Sequence, residues 1–573
     1  LTFLGKCDMV LYVRLLLKDN YKLSEVERNM IIKVYDIQMQ DDVVHFFSKV
    51  FRENKRNFDL NCKEKDISNI QHNYMVNGCF WCALDSNSQI IGTIGLRKIE
   101  DYYEIRRFFV CKKYQHKGVG THLINTLIDY AVSTNISCLK AATMVEGTIV
   151  RKILIEYGFQ FTKRYNKSSA DLFFELKITD KYIYSHNLKK LRNRHYHSLI
   201  LNPTENIPYH TEDTNFFEGL YVSERFKDVN DKVIFAGRNE YINFFDSIKN
   251  IWKERLCAYD VDLKTLSGLN AHLILFLCIL LPQESVLILP ESCGGHFATQ
   301  KILESFGANV HTMITDNKNM CVDIIKTSEL INRINPDYIF VDRSEGLVYE
   351  NFEWLKSFER PYKIFDASQY LSQIITKEYP SPFDWGFDMV VSTLHKNYPG
   401  PQKGIIAVNY QNDNVWQRYL DNAKTYISNT HPMEIANSIM PILDMKQFAE
   451  YSDSCIKCAA LLNHELEHNG VPIVKRNENL IPTLHIWVLC QTKEESHNYY
   501  LKLEQLHILT NYRLLPYKLG FGLRIGVSAA VRQGLKTYHI SELAQIMSDA
   551  YFNSIDTALQ NKAKKFISKV IGE

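Results

Sequence analysis

The chain has 573 residues, 46% of them apolar, and a formal net charge of +2. Its length calls for two or more domains with ordinary hydrophobic cores. A charge so close to zero argues against nucleic acid or an anionic membrane as a partner. The longest apolar run, Leu273–Leu281, is too short to cross a bilayer. Residues 1–30 read as an N-terminal extension, in which Leu11–Leu17 is broken by Arg14 and shows no signal-peptide cleavage pattern. Together with cysteines that suggest no disulfide framework, this points to the cytoplasm.

Residues 31–178 form the first predicted domain. Apolar runs near Phe80–Leu84 and Ile90–Leu96 predict strands, and Glu104–Val110 predicts another. Next comes Tyr114-Gln115-His116-Lys117-Gly118-Val119-Gly120-Thr121, then an amphipathic helix from about His122 to Ser133. Glycines at a helix start let backbone amides close around a pyrophosphate. Cys138–Ala142 and Glu156-Tyr157-Gly158-Phe159 complete the pattern. This Gln-x-x-Gly-x-Gly between strand and helix resembles the acetyl-CoA site of the GNAT acyltransferases. The resemblance implies a GNAT fold: a mixed, mostly antiparallel sheet with helices. It also implies acetyl-CoA or another acyl-CoA held at Val110, Gln115, Gly118, Gly120 and Thr121. Glu104 lies where some members have a general-base glutamate. The asparagine and the thiolate-protonating tyrosine of the family fall, by spacing, on Gly147 and Leu154. The front domain is therefore expected either to acylate an amine or to bind acyl-CoA as a nonenzymatic sensor.

Residues 179–197 read as a linker helix, with the basic cluster Lys189-Lys190-Leu191-Arg192-Asn193-Arg194-His195 on a solvated face. Beyond it a series of chemistry-bearing segments follows. Thr265-Leu266-Ser267-Gly268-Leu269-Asn270-Ala271-His272 opens an apolar helix whose first amides favour a phosphate. Val286–Pro290 is a strand that runs on to Gly294-Gly295-His296, a turn able to bring a histidine over a ring face. Tyr362–Asp366 is a strand ending in a carboxylate that can pair with a protonated pyridine nitrogen. Met389–Val391 is a buried strand that delivers Lys396 into a turn of hydroxyls, prolines and glycines. A desolvated lysine loses its proton more easily and can form a Schiff base with an aldehyde. Gly522-Leu523-Arg524-Ile525-Gly526 sets an arginine in a strand, suited to a bidentate grip on an amino acid carboxylate.

That order resembles serine hydroxymethyltransferase, a fold-type-I pyridoxal phosphate (PLP) enzyme, from about His197 to about Ala550. The resemblance implies an aspartate-aminotransferase-like large α/β domain over 198–425 and a small C-terminal α/β domain over 426–573. It assigns Ser267 and Gly268 to the cofactor phosphate, His296 to the ring face, Asp366 to the ring nitrogen, and His395-Lys396 to the His-Lys pair. Arg524 takes the substrate carboxylate. Thr204 of Thr204-Glu205-Asn206 takes the place of the serine in the family's Ser-Glu-Asn, as a substrate contact. Ser344 falls near the cofactor. A homodimer is implied as well.

The departures bear on the reaction. The Tyr-Ala-Glu that supplies the family's catalytic glutamate falls on Phe226-Lys227-Asp228, and the next tyrosine pair on Phe235-Ala236. Gln369 replaces the histidine after the ring aspartate and is expected to keep that histidine's place at the cofactor, and Thr430-His431-Pro432 replaces Gly-Gly-Pro. Leu514–Phe521 is shorter than the family's folate-contacting loop. Cofactor-holding residues are kept while folate-handling ones are altered. The expected chemistry is therefore a folate-independent cleavage, formation or exchange of the Cα–Cβ bond of a β-hydroxy amino acid with an aldehyde partner, in small-molecule or natural-product biosynthesis. Asp228 or His296 could assist proton movement. The second reading is a folate-dependent hydroxymethyltransferase with a regulatory GNAT fold. No metal site is expected. Cys79-Phe80-Trp81-Cys82 and Cys455-Ile456-Lys457-Cys458 lie in different domains, and His464-Glu465-Leu466-Glu467-His468 reads as a surface helix before Asn469-Gly470.

Overall fold

The computed structural model describes residues 30–145, 147–218, 238–411, 413–427, 431–476 and 480–572. The chain forms two compact units. One takes in the chain up to His197 together with Asp556–Ser568; the other takes in Ser198–Ile555 and the last few residues.

The first unit is built on seven strands: β1 (Ile31–Val34), β2 (Gly78–Leu84), β3 (Ile90–Ile99), β4 (Tyr102–Val110), β5 (Cys138–Thr143), β6 (Gln160–Phe161) and β7 (Leu172–Lys177). They lie in the order β1-β2-β3-β4-β5-β7-β6. All neighbours are antiparallel except β4 and β5, which run parallel. Helix α1 (Gln40–Glu53) buries Val43, Phe46, Phe47, Val50 and Phe51, the stripe that a 3.6-residue period produces. Helix α2 (Val119–Ser133) buries Leu123, Ile124, Leu127, Ile128 and Ala131 in a separate core cluster with Trp81, Leu96 and Leu139. Each Val, Leu, Ile or Phe among them contributes about 1.5–3 kcal/mol when fully buried. Helices α3 (Thr148–Glu156) and α4 (Asp180–Tyr196) follow in chain order. The spacing predicts a start for α2 at about His122, but the helix begins three residues earlier. Gly118 is its N-cap at φ +78°, which a glycine adopts freely. Gly120 and Thr121 therefore sit within the first helical turn.

The second unit centres on another seven-stranded sheet. Its strands are β8 (Asp260–Asp262), β9 (Ser285–Ile288), β10 (Asn309–Thr312), β11 (Tyr338–Val341), β12 (Tyr362–Asp366), β13 (Met389–Thr393) and β14 (Gly404–Val408). The order is β10-β9-β11-β12-β13-β14-β8. The first five run parallel, and β14 runs antiparallel to both of its neighbours, β13 and β8. β11, β13 and β14 are buried at every residue, as befits a mostly parallel sheet covered on both faces. Helix α5 (Gly268–Ile279) covers one face. Helix α6 (Met445–His468) carries Cys455 and Cys458 buried, and ends at Asn469, before Gly470 at φ +84°. A small three-stranded sheet, β15 (His485–Leu489), β17 (Gly520–Gly526) and β16 (Asn511–Leu515) in that order, completes the layout. Among the described residues no helix is long and apolar enough to cross a membrane.

Candidate active site

Strands β11, β12 and β13 are adjacent and parallel, so their C-terminal ends open on one edge of the sheet, where ligands of open α/β sheets bind. Asp366 ends β12, and Lys396 follows β13 by three residues. The Lys396 turn is held from several sides. Gly400 N donates to Leu394 O at 2.8 Å, and Leu394 N donates to Lys403 O at 2.8 Å. Asn397 accepts from Ser372 N at 2.7 Å and donates to Gln373 Oε1 at 2.6 Å. Asn206 donates its amide to the Lys396 carbonyl at 2.6 Å, which ties the Thr204-Glu205-Asn206 segment to this turn. Burial holds the Lys396 ammonium below its ordinary pKa, and Arg524 acts in the same direction, while Asp366 and Glu345 oppose both.

Asp366 is buried, and each of its oxygens has one partner. Its Oδ2 lies 2.9 Å from His272 Nε2, and its Oδ1 accepts from Ser368 N at 2.7 Å. Burial pushes its carboxyl upward, but these hydrogen bonds and nearby charge win and bring it down to about 2. His272 sits one turn into α5, edge-on to His296 with ring centroids 5.5 Å apart. His296 follows the Gly294-Gly295 turn, and burial lowers it to about 4, so it is neutral near pH 7. Asp342, at the end of β11, accepts from the His296 amide at 3.3 Å and from the Thr299 hydroxyl; burial raises its carboxyl well above the ordinary range. His395 shares a 2.7 Å contact with Thr393 Oγ1, and burial brings it to about 4.

Helix α5 starts against the same edge. The Ser267 hydroxyl accepts from Asn270 N at 3.2 Å, which leaves the Gly268 and Leu269 amides without intrahelical acceptors. A Cβ added at Gly268 would come within 3.1 Å of Thr393 Cβ, a tight contact that glycine avoids. A cavity of about 580 Å³ opens beside the helix start, lined among others by Tyr209, His210, Leu266, Ser267, Gln402 and His431. His431 keeps a left-handed φ of +48° although it is no glycine.

Arg524 lies on β17, opposite Trp487 of β15 and Asn511 of β16. It donates to the Ser344 carbonyl at 3.3 Å, and burial lowers it to about 10. Thr204 and Asn511 both donate to Asn202 Oδ1, at 2.9 and 2.8 Å. Gln369 does not stand open: its Oε1 is engaged by His485 Nε2 at 3.1 Å. Lys396, Asp366, His296, His395, Ser267, Gly268, Ser344, Thr204 and Arg524 thus all belong to one unit. Asp228, with Phe226, Lys227, Phe235, Ala236 and Thr430, lies outside the described residues. His272, Asp342, Asn206 and Glu345 are the additions from the structure. His272 had a signal, since it falls four residues after Gly268 on one helical face; the others depend on distant chain segments.

This set fits PLP. A carboxylate held ionised suits the pyridine nitrogen, a neutral imidazole the ring face, and two free helix amides with an unobstructed glycine the phosphate. Lys396 supplies the amine.

In the first unit, β4 pairs with β5 only through Tyr103–Ile105 and Leu139–Ala141, so its last residues leave that edge open. Arg107 adopts φ +53° at a bulge and is held there by Asp66, its Nε 2.9 Å from Oδ2. Val110 ends the strand and its carbonyl takes Gln115 Nε2 at 3.1 Å. Gly118 opens α2, and its carbonyl accepts from His122 N at 3.0 Å, leaving the Val119, Gly120 and Thr121 amides for an anion. Glu104 is buried; Arg106 Nε lies 2.6 Å from one oxygen and Asn166 Nδ2 2.5 Å from the other. Leu154 is buried in the core, where it has no polar atom to offer.

Comparison with known proteins gives both units relatives. Residues 176–547 match the serine hydroxymethyltransferase family, and residues 39–159 match the acetyltransferase (GNAT) family. A serine hydroxymethyltransferase of Thermococcus onnurineus is 26% identical over 300 residues, covering 50% of this chain and 70% of the relative. That of Sulfolobus acidocaldarius is 24% identical over 325 residues, 54% of this chain and 73% of its own. Among solved structures, L-threonine transaldolase from Pseudomonas fluorescens in its internal aldimine state superposes with a TM-score of 0.63 at 21% identity, covering 68% of this chain and 91% of that one.

Proposed function

The chain belongs to the serine hydroxymethyltransferase family, a PLP-dependent one, and carries an N-terminal GNAT domain; from that premise we propose a bifunctional biosynthetic enzyme. Its C-terminal unit cleaves, forms or exchanges the Cα–Cβ bond of a β-hydroxy amino acid, with an aldehyde as partner and without folate. Its GNAT domain transfers an acyl group from acetyl-CoA or another acyl-CoA to an amine. We place it in the cytoplasm as a homodimer, in natural-product metabolism.

Bound PLP supplies an aldehyde to join the substrate amine and a pyridine ring to accept electrons from Cα. The protein does the rest. Arg524 holds the α-carboxylate. The α5 amides and Ser267 orient the cofactor phosphate. Asp366, kept ionised by His272 and Ser368, holds the proton on the ring nitrogen. Lys396 would hold the cofactor aldehyde, and its amine, released when substrate binds, would carry the Cα proton.

One observation carries folate independence. Leu514–Phe521, where the family has its folate-contacting loop, is a tight hairpin between β16 and β17, with Tyr517 and Lys518 at φ +60° and +61°. Tyr517 is buried, packs with Cys293, Leu347 and Trp487, and its hydroxyl takes a hydrogen bond from Arg343. Tyr517 N also donates to Ser292 O at 2.7 Å, which pins the hairpin to the turn before His296. A hairpin packed in this way supports a role other than that of a folate-binding loop. Serine and threonine cleavage, each measured with and without tetrahydrofolate, tests the reading. Cleavage unchanged by tetrahydrofolate supports it; a tenfold or larger acceleration of serine cleavage would establish the folate-dependent alternative instead.

In the GNAT domain the acyl-CoA residues are Val110, Gln115, Gly118, Gly120 and Thr121, with Glu104 as general base. Glu104→Gln keeps an acceptor for Asn166 and is expected to lower acyl transfer to amines about 10²-fold or more. The check is thiol release from acetyl-CoA in the presence of an amine panel; undiminished turnover would leave the domain a sensor of acyl-CoA.

A further inference from the structure

The segment after β11 reads Asp342-Arg343-Ser344-Glu345-Gly346. Glu345 N donates to the Gly294 carbonyl at 3.1 Å, which fastens the segment to the turn bearing His296. Glu345 Oε1 makes an ion pair with Arg513 and lies 3.8 Å from Arg524 Nη1. Its Oε2 is buried and has no hydrogen-bond partner. Lys396 is near enough for Glu345 to favour its charge. The cluster runs inward from Arg513, a third exposed, to Arg524, which is only 4% exposed. A carboxylate thus stands beside the arginine meant for the substrate's own carboxylate, with one oxygen committed to Arg513 and the other uncommitted. A buried acceptor without a donor is costly, and a substrate hydroxyl is a donor of the right kind.

We propose that Glu345 is a catalytic base for the β-hydroxyl of the substrate, its Oε2 accepting that hydroxyl while Arg524 holds the α-carboxylate. This role rests on the Cα–Cβ reading above. In cleavage, the hydroxyl proton passes to Glu345, and the O–H electron pair becomes the second bond of the aldehyde carbonyl. The Cα–Cβ electron pair is left on Cα, where bound PLP would accept it, with Asp366 as the residue that would support the ring nitrogen. A proton delivered to Cα then completes glycine, and Glu345 gives up its own proton to solvent. In the reverse direction protonated Glu345 neutralises the alkoxide as it forms.

The substrate tunes this base. Burial already holds Glu345 above the ordinary carboxyl range, against the pull of Arg524 and Arg513 and with Glu291 adding like charge. An α-carboxylate docking on Arg524 takes up that guanidinium and brings a second negative charge, so Glu345 becomes more basic as the site fills. Arg513 remains as the partner that keeps its orientation.

The test uses the full-length, PLP-loaded protein and its Glu345→Gln and Glu345→Asp variants. Two reactions are followed on each preparation: cleavage of threonine and phenylserine, and exchange of the glycine α-proton in D2O, which involves no hydroxyl. The ratio of cleavage to exchange is expected to fall about 10²-fold in Glu345→Gln, as for loss of a general base, and to recover in part in Glu345→Asp. The acid limb of the cleavage pH profile, set by Glu345 among Arg513, Arg524, Glu291 and Lys396, should vanish in Glu345→Gln. A ratio within threefold of the unsubstituted protein would overturn the role of Glu345 alone. An unsubstituted protein that exchanges glycine but cleaves neither amino acid would overturn the Cα–Cβ reading, and Glu345 with it.

Discussion

Lys396→Ala is expected to abolish the visible absorbance of the lysine-bound cofactor and to lower every PLP-dependent turnover at least ~10³-fold, because one amine both anchors the aldehyde and moves a proton. Two lysines of this stretch have depressed pKa values, so the choice between them is a real one. Lys403 is buried, its Nζ donates to the Lys264 carbonyl at 3.2 Å, and burial lowers it to about 8, with Asp262 opposing. Lys396 instead shares its field with Asp366, Arg524 and Glu345. Only at that position do Asp366 and Arg524, the residues proposed for the ring nitrogen and the substrate carboxylate, act on the amine together. Lys403→Ala is therefore the control, and it should keep the absorbance. Absorbance lost in Lys403→Ala and kept in Lys396→Ala would reverse the assignment.

Asp366→Asn is expected to cost about 10²–10⁴-fold in the same turnovers. The amide cannot hold a proton on the pyridine nitrogen, and the ring then accepts electrons poorly. A second effect appears without cofactor. The folded carboxyl titrates near 2, below its ordinary 3.8. Its ionised form therefore adds stability that is fully present above the ordinary value and is lost as the pH falls through about 2. The size is about 2 kcal/mol for a shift of this order. Urea unfolding of apoprotein and Asp366→Asn at pH 7 and at pH 3 measures it. The gap between the two should be wide at pH 7 and narrower at pH 3; a gap independent of pH would contradict a carboxylate held by His272 and Ser368.

Much of this site could be read from the chain alone because its parts follow local rules. Asp366 closes an apolar strand, Ser267-Gly268 begins an apolar helix, and Lys396 follows a run that only a buried strand explains. Each is local chemistry with its own periodicity or cap. What stayed hidden depends on residues far apart in sequence. His272 and Asp366 are 94 positions apart, and Glu345 and Arg513 meet across two elements. The start of α2 was displaced because Gly118 can cap a helix at positive φ, whereas the apolar period becomes visible only later. Gln369 is expected at the cofactor from its place in the sequence, and the structure adds His485, more than a hundred residues on, beside its Oε1.

In the proposed cofactor site, the phosphate end and the nitrogen end are borne by a single rod. Gly268 and His272 lie four residues apart on α5, a rise of about 6 Å along its axis. A cofactor gripped by the first is therefore presented at a fixed reach to the carboxylate that the second supports. Any substitution that slides or tilts this helix should loosen retention and shift colour in step.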